Sequence, residues 1–347
     1  MRWTLWISSV ALGCVQVPTK GLDSGTGANG TLLVVTFNAG TTLGVLPADT
    51  NGSAYGIEQA ALSDAWYGDG LAWTPAVDAT RDWFARFSPD LVVFQEVFSS
   101  DGCATVPAEA RTGFVCEDWS EGDPTVAVDI LGPGYQVACH PGKPDKCAAV
   151  HERVGRFAGC EDDYCPEGLR GETVSDCGTG ARVGTATIER DGTPVLQLTN
   201  IHGSSGLTEE DQACRMAQTA QVFDAIGDGA PAVSPTLPDV LMGDLNTDPY
   251  NFADFDASAR DWAERVPLNP TALTQHGLRF VSPIGPGSPA SYEGLADIDH
   301  VFSDTWSGAC DTDLLDPTRP HPVYDVPYFD HRPVVCELRQ RAASPRR

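Results

Sequence analysis

Val240-Leu241-Met242-Gly243-Asp244-Leu245-Asn246 is the stretch from which the fold of this chain can be read. Three consecutive apolar residues are too few for a helix and suit a buried strand, which here ends on a glycine, a carboxylate and an amide. The same arrangement recurs upstream. Leu32 to Phe37 is a Val- and Thr-rich strand ending at Asn38, and Leu91 to Phe94 delivers Gln95 and Glu96. Thr185 to Glu189 turns at Asp191-Gly192 into Val195 to Ile201 and ends at His202. Downstream the order inverts, with Asp297-Ile298-Asp299-His300 ahead of Val301-Phe302 and Asp330-His331-Arg332-Pro333 ahead of Val334-Val335. Helical patterns lie between. Thr74 caps and Pro75 opens a helix with Val77, Phe84 and Phe87 that stops at Ser88-Pro89-Asp90. Thr208 and Asp211 make a capping box ahead of Ala213, Met216, Ala217, Ala220, Phe223 and Ile226, with Gly227 as the stop.

The chain has 347 residues, 41% of them hydrophobic, which excludes a wholly disordered polymer and suits one large domain or two ordinary ones. Lys and Arg number 22 against 48 Asp and Glu, a formal charge of −26. That balance disfavours sequence-indifferent binding of duplex nucleic acid through clustered basic residues, but not an approach to phosphate through a bound cation. At the N-terminus, Met1 and Arg2 precede an apolar stretch from Trp3 to Gly13 that is too short to span a bilayer and has the order of a secretory signal. Ala11-Leu12-Gly13-Cys14 looks like a bacterial lipoprotein cleavage box, so residues 1–14 read as a signal whose Cys14 would be lipidated to give a membrane tether. An ordinary signal peptide cut slightly later is the alternative. Residues 15–30 are rich in Gly, Ser and Thr and read as a linker, and 339–347 as a basic disordered tail.

Without Cys14, ten cysteines remain, an even number in an exported chain, which favours disulfides. Seven lie between Cys103 and Cys177, so complete pairing requires at least one bridge to leave that segment; Cys177 to Cys214 and Cys310 to Cys336 are the expected pairs beyond it. The stretch of about 99–180 shows little periodicity and reads as a disulfide-held insertion. Its Lys143, Lys146, Arg153, Arg156, Arg170 and Arg182 are accompanied by at least as many acids and read as solvated surface. Trp66, Tyr67 and Trp73 read as core, base-stacking or membrane-touching residues.

Taken singly, Asn38, Glu96, His202, Asp244, Asn246, Asp299 and His331 each have a dull reading as a turn former, a strand end or a core histidine. Taken together, carboxylates, amides and imidazoles at strand ends are the groups needed to hold a hard divalent cation and to move protons. No G-x-S-x-G elbow, phosphate-binding Gly-Lys-Ser/Thr loop or H-E-x-x-H helix competes with them.

On Thr36-Phe37-Asn38, Phe94-Gln95-Glu96-Val97, Asn200-Ile201-His202, Gly243-Asp244-Leu245-Asn246, Ile298-Asp299-His300-Val301-Phe302 and Asp330-His331-Arg332-Pro333-Val334, the chain resembles the endonuclease/exonuclease/phosphatase superfamily. The resemblance covers residues 31–338 and implies a four-layer α/β sandwich: two packed sheets flanked by helices, the site at one edge of both. It implies a Mg²⁺-dependent phosphodiesterase, with Mn²⁺ able to substitute, that works by in-line attack of water. Asn38, Glu96 and Asp330 would hold the metal. Asp244 and Asn246 would position the water, Asp299 would support His331 as proton-transfer group or phosphate contact, and His202 would bind non-bridging oxygens or protonate the leaving group. Gly40 departs from the pattern, standing where several members carry a second acidic ligand. An exported nuclease is the first expectation and a sphingomyelinase-type lipid phosphodiesterase or phosphatase the second. A cell-surface binding module without turnover is the non-enzyme alternative. The partner expected is nucleic acid or a phospholipid head group, with no protein partner.

Overall fold

The computed structural model describes residues 30–41, 57–174, 177–178, 182–227, 229–269, 276–292, 295–312 and 328–341. The signal, Cys14 and nearly all of the expected linker lie outside them.

The first sheet is built from β1 (Thr31–Asn38), β2 (Leu91–Gln95), β3 (Tyr135–His140), β4 (Lys143–His151), β6 (Tyr164–Cys165), β13 (Trp306–Asp311) and β14 (Val334–Gln340), in the order β13-β14-β1-β2-β4-β3-β6. The second runs β11-β12-β10-β9-β8-β5, from β5 (Arg156–Phe157), β8 (Arg182–Arg190), β9 (Thr193–His202), β10 (Asp239–Asp244), β11 (Arg279–Phe280) and β12 (Asp299–Ser303), with β7 (Arg170–Gly171) also on β8. The helices are α1 (Ile57–Trp66), α2 (Thr74–Phe87), α3 (Val126–Leu131), α4 (Glu209–Phe223) and α5 (Ala257–Arg265).

Side-chain alternation assigns the layers. Leu32, Val34, Leu91, Val93, Ala148 and Val150 of the first sheet meet Ile188, Leu196, Leu198, Val240, Met242 and Val301 of the second. Val35, Phe37, Val92 and Phe94, on the opposite face, pack under Val77, Trp83 and Phe84 of α2. On the far side Ile201, Leu241 and Phe302 meet Val222 and Phe223 of α4 and Trp262 of α5. Strands covered on both faces read as unbroken apolar runs, which is why these segments were legible as strands. The expected four-layer α/β sandwich is present.

Five cystine pairs form: Cys103–Cys116, Cys139–Cys147, Cys160–Cys165, Cys177–Cys214 and Cys310–Cys336. Both pairs expected beyond the cysteine-rich segment are among them.

Four details differ from expectation, the first being that Thr74 opens α2 rather than capping it, with Trp73 at the N-cap and no side-chain cap hydrogen bond. The cysteine-rich stretch supplies β3 and β4, and β4 pairs directly with β2, so much of it is framework rather than appendage. Its small residues Ala148 and Ala149, buried on both faces, hid the strand period. The last strand continues through Gln340, where Arg339 pairs with Thr31, so the C-terminal boundary lies two residues beyond the expected Leu338. Finally, α4 ends at Phe223 and buries Cys214, Arg215, Gln218 and Thr219, while Ala213 is exposed. A buried Arg215–Asp256 ion pair at 2.9 Å makes this polar face inward-facing, and apolar periodicity could not reveal that.

Candidate active site

Strand direction gathers the side chains. β1 and β2 are parallel, with Asn38 opposite Gln95, and β9 and β10 are parallel, with His202 opposite Asp244. Their C-terminal ends therefore leave both sheets at one edge. β12 and β14 run antiparallel to these neighbours, so their starts, at Asp299 and just after His331, return to the same edge; Asp299 stands opposite Asp244. Left-handed backbone at Glu96 (φ 58°) and Asn246 (φ 51°) turns the chain as β2 and β10 end, a conformation that costs a non-glycine residue roughly 1–2 kcal/mol. Gly243 has φ 150°, and a Cβ there would lie 1.9 Å from the Ile201 carbonyl oxygen, so only glycine fits ahead of Asp244.

At the junction of the sheets, the Asn200 amide donates to the carbonyls of Phe94 (2.8 Å) and Cys147 (3.0 Å) and accepts from Gln95 Nε2 (2.6 Å). This clamp fixes one sheet against the other beside Glu96 and His202. Asn200 shares a strand face with His202, the alternation signal by which the sequence could have assigned it.

Asp244 Oδ2 is the hub. It accepts from Asn38 Nδ2 and Asn246 Nδ2, both at 3.0 Å, and lies 3.7 Å from His202 Nε2 and 3.9 Å from His331 Nε2. Asp244 Oδ1 accepts from the Asn246 backbone N–H at 2.6 Å. His331 Nδ1 pairs with Asp299 Oδ2 at 2.7 Å, and Ser291 Oγ accepts from the Asp299 backbone N–H at 3.0 Å. The Tyr292 ring sits 4.9 Å from that of His331. His202 Nε2 also faces Glu96 Oε1 at 3.4 Å. Seven of the eight expected site residues thus converge. Asp330, the eighth, is half-buried at the rim, where its charge acts on His331 and on Asp69.

Burial and neighbouring charge divide the titratable groups. Burial pushes Glu96 up to about 7, against the pull of Lys146 and His331. Burial, then Asp299, pushes Asp244 up to about 7. His202 is held neutral, well below its ordinary value, by burial and by the positive charges of Lys146 and His331. His331 goes the other way: burial opposes its charge, but Asp299, Asp330 and Asp244 outweigh burial and raise it well above the ordinary histidine value. The edge therefore holds one neutral and one cationic imidazole at neutral pH. Asp69, raised to about 7 by burial and by Asp64, adds another acid to the electrostatics of Glu96; it lies in an irregular stretch where no pattern marked it.

Two groupings could take a cation. Asp244, Asp299 and His331 offer ligand atoms within 4.8 Å of one another, but hydrogen bonds already knit them together. Glu96 is the better anchor. Its pKa is raised by burial, Asp244 beside it is in the same state, and no lysine or arginine among the described residues reaches salt-bridge distance of it. A hard divalent ion relieves that arrangement, and Mg²⁺ typically uses only one or two carboxylates. Gly40 belongs to the same seat: a Cβ there would lie 1.7 Å from Glu96 Oε2, so the Glu96 carboxylate occupies the space a side chain at position 40 would need.

No protein-family model matches the chain, and no curated protein matches it. Solved structures do. The human Nocturnin catalytic domain with bound sulfate anion matches with TM-score 0.50 at 14% identity over 90% of this chain and 94% of that chain. An endonuclease/exonuclease/phosphatase from Beutenbergia cavernae DSM 12333 matches with TM-score 0.50 at 18% identity over 89% of this chain and 72% of that one. D. rerio TDP2 complexed with single strand DNA product matches with TM-score 0.50 at 12% identity over 89% of this chain and 99% of that one.

Proposed function

This chain has the fold of the endonuclease/exonuclease/phosphatase superfamily, and from that premise we propose that it is a divalent-cation-dependent phosphodiesterase acting on nucleic acid by in-line attack of water. The observation that carries the reading is the meeting of Asn38, Glu96, His202, Asp244, Asn246, Asp299 and His331 at one sheet edge. Nucleic acid comes first because exported nucleases are frequent in the superfamily that the motifs resemble.

Glu96 would hold Mg²⁺ or Mn²⁺, with Asn38 beside it and Asp330 near. When bound, the ion polarises the phosphoryl oxygens and neutralises developing charge. Asp244, fixed by Asn38 and Asn246, orients the attacking water and accepts its proton, for which a pKa of about 7 is well matched. His331, cationic and set in one orientation by Asp299, donates from Nε2 to a phosphoryl oxygen or to the leaving oxygen. Neutral His202 donates from Nε2, now facing Glu96 and Asp244, to a non-bridging oxygen of the substrate. Five cystine pairs support an oxidising compartment and hence an exported enzyme, secreted or tethered through Cys14.

A second reading, a lipid phosphodiesterase, has one observation in its favour. Leu207, Tyr250, Phe255 and Leu295 are exposed and lie on loops joined to the site ends of β9, β10 and β12. The three aromatics noted in the sequence add little to it: Tyr67 and Trp73 are buried in the core, and only Trp66 is exposed.

The test is to assay plasmid DNA, RNA, sphingomyelin and bis(4-nitrophenyl) phosphate with Mg²⁺ or chelator, alongside His331→Ala. Nucleic acid should be cleaved, chelation should abolish the activity, and the variant should lose roughly a hundredfold or more. Activity indifferent to chelator rejects the metal assignment. Cleavage of sphingomyelin alone selects the lipid reading, and no turnover at all selects a binding module.

A further inference from the structure

Six basic residues in and just after the cysteine-rich stretch separate into two groups. Arg153 is tied to Asp90 and Ser88, Arg156 to Asp163 at the surface, and Arg170 to the carbonyls of Ala230 and Pro231. Lys143, Lys146 and Arg182 stand instead beside the candidate active site. The Val97 backbone N–H donates to the Asp145 carbonyl at 3.1 Å, which places Lys146 next to the Glu96-Val97 turn. Arg182 is the cross-strand partner of His202 at the end of the β8–β9 pair. Lys143 Nζ and Lys146 Nζ contact the same Asp145 Oδ2 at 3.2 and 2.8 Å, which keeps the two ammonium groups within about 6 Å of each other.

Solvated surface does not describe Lys146 and Arg182. Lys146 is 3% exposed and Arg182 8%, and lysine is almost never buried so deeply without matched charge. Lys143 and Lys146 share one contacting carboxylate, that of Asp145, in a chain whose formal charge is −26. The positive charges of Lys146, Lys143 and Arg182 are among those acting on His202, and that of Lys146 acts on Glu96, so the strip lies within electrostatic reach of the reacting centre.

We propose that Lys143, Lys146 and Arg182 form a subsite for a second phosphate next to the scissile one, which makes the substrate a nucleic-acid strand rather than a compound with one isolated phosphodiester. The proposal rests on the phosphodiesterase reading above. Asp145 acts in it as a positioning residue that holds both ammonium groups in place, and the three cations carry the adjacent backbone phosphate.

The experiment compares kcat/KM of the full chain on a short single-stranded oligonucleotide and on bis(4-nitrophenyl) phosphate, in wild type, Lys146→Met, Lys143→Gln and, as control, Arg156→Gln. Lys146→Met and Lys143→Gln should each lower kcat/KM on the oligonucleotide by about tenfold or more, chiefly through KM, with a several-fold smaller loss on the one-phosphate substrate. The logarithmic salt dependence on the oligonucleotide should become shallower by about 0.7 per removed contact. Arg156→Gln should change neither rate. Pyrophosphate binding measured calorimetrically in chelator should weaken about tenfold in the same two lysine variants. Lys143, whose side chain is 29% exposed, carries the test should Lys146→Met fail to fold. Equal losses on both substrates, or a wild type that cleaves the small diester but not the oligonucleotide, overturn the subsite and leave the phosphodiesterase standing. A wild type that cleaves neither overturns both.

Discussion

Replacing Gly40 with alanine tests the geometry of the metal seat more sharply than deleting any ligand. The added Cβ would lie 1.7 Å from Glu96 Oε2, 2.8 Å from its Cδ and 3.0 Å from its Cβ. Ordinary van der Waals contact begins near 3.4 Å, so the oxygen must retreat by about 1.7 Å. The Glu96 main chain cannot easily follow, because the Leu71 backbone N–H donates to the Glu96 carbonyl at 2.9 Å and the left-handed turn fixes its direction. The carboxylate must therefore leave its position opposite His202. A displacement of about 1 Å in a reacting array can cost about a hundredfold in rate, or about 2.7 kcal/mol of transition-state stabilisation. Overpacking itself should cost only about 1–3 kcal/mol of stability, which a domain of this size can absorb. The expected result is a folded Gly40→Ala protein, confirmed by its melting transition, whose Mg²⁺ or Mn²⁺ affinity by calorimetry and whose phosphodiesterase rate both fall by about two orders of magnitude. An alanine variant with wild-type cation affinity would show that Glu96 is not the anchor, and wild-type turnover would refute the requirement for its observed position.

Two further predictions concern stability. Arg215→Ala leaves buried Asp256 without its cation, which should lower unfolding free energy by about 3–5 kcal/mol in urea titration; an Asp256→Ala change added to it should recover part of the loss, and strict additivity would refute a direct pair. Burial raises Asp239 from its ordinary 3.8 to about 8, so the folded protein keeps that proton where the unfolded chain releases it, and the contribution to stability is lost as pH rises from about 4 to about 8. Asp239→Asn removes this dependence, so its melting temperature relative to wild type should climb between pH 5 and pH 8; a pH-independent difference would contradict the shifted carboxyl.

The arrangement that emerges assigns different work to similar groups through environment. Two histidines a few ångströms from one carboxylate are shifted in opposite directions, because Asp299 is paired with one while burial and the positive neighbours outweigh Glu96 and Asp244 at the other. Such a separation lets one sheet edge both donate and accept protons near neutral pH.

The sequence alone determined the strands that carry the site and the residues at their ends, because burial on both faces leaves an apolar run and a polar terminus that need no partner to be recognised. It also required, through the odd number of cysteines in one segment, that complete pairing send a bridge out of that segment, whereas the connectivity itself, Cys177–Cys214 and Cys310–Cys336 included, was decided by the packed structure. What it left open depended on partners far away along the chain. The strand character of β4, the inward-facing polar side of α4, the Asn200 clamp, the reason for Gly40 and the inward position of Lys146 all arise where one segment packs against another. Local pattern records how a segment meets water, whereas charge state and close approach depend on what stands opposite, and only the packed sheets supply that.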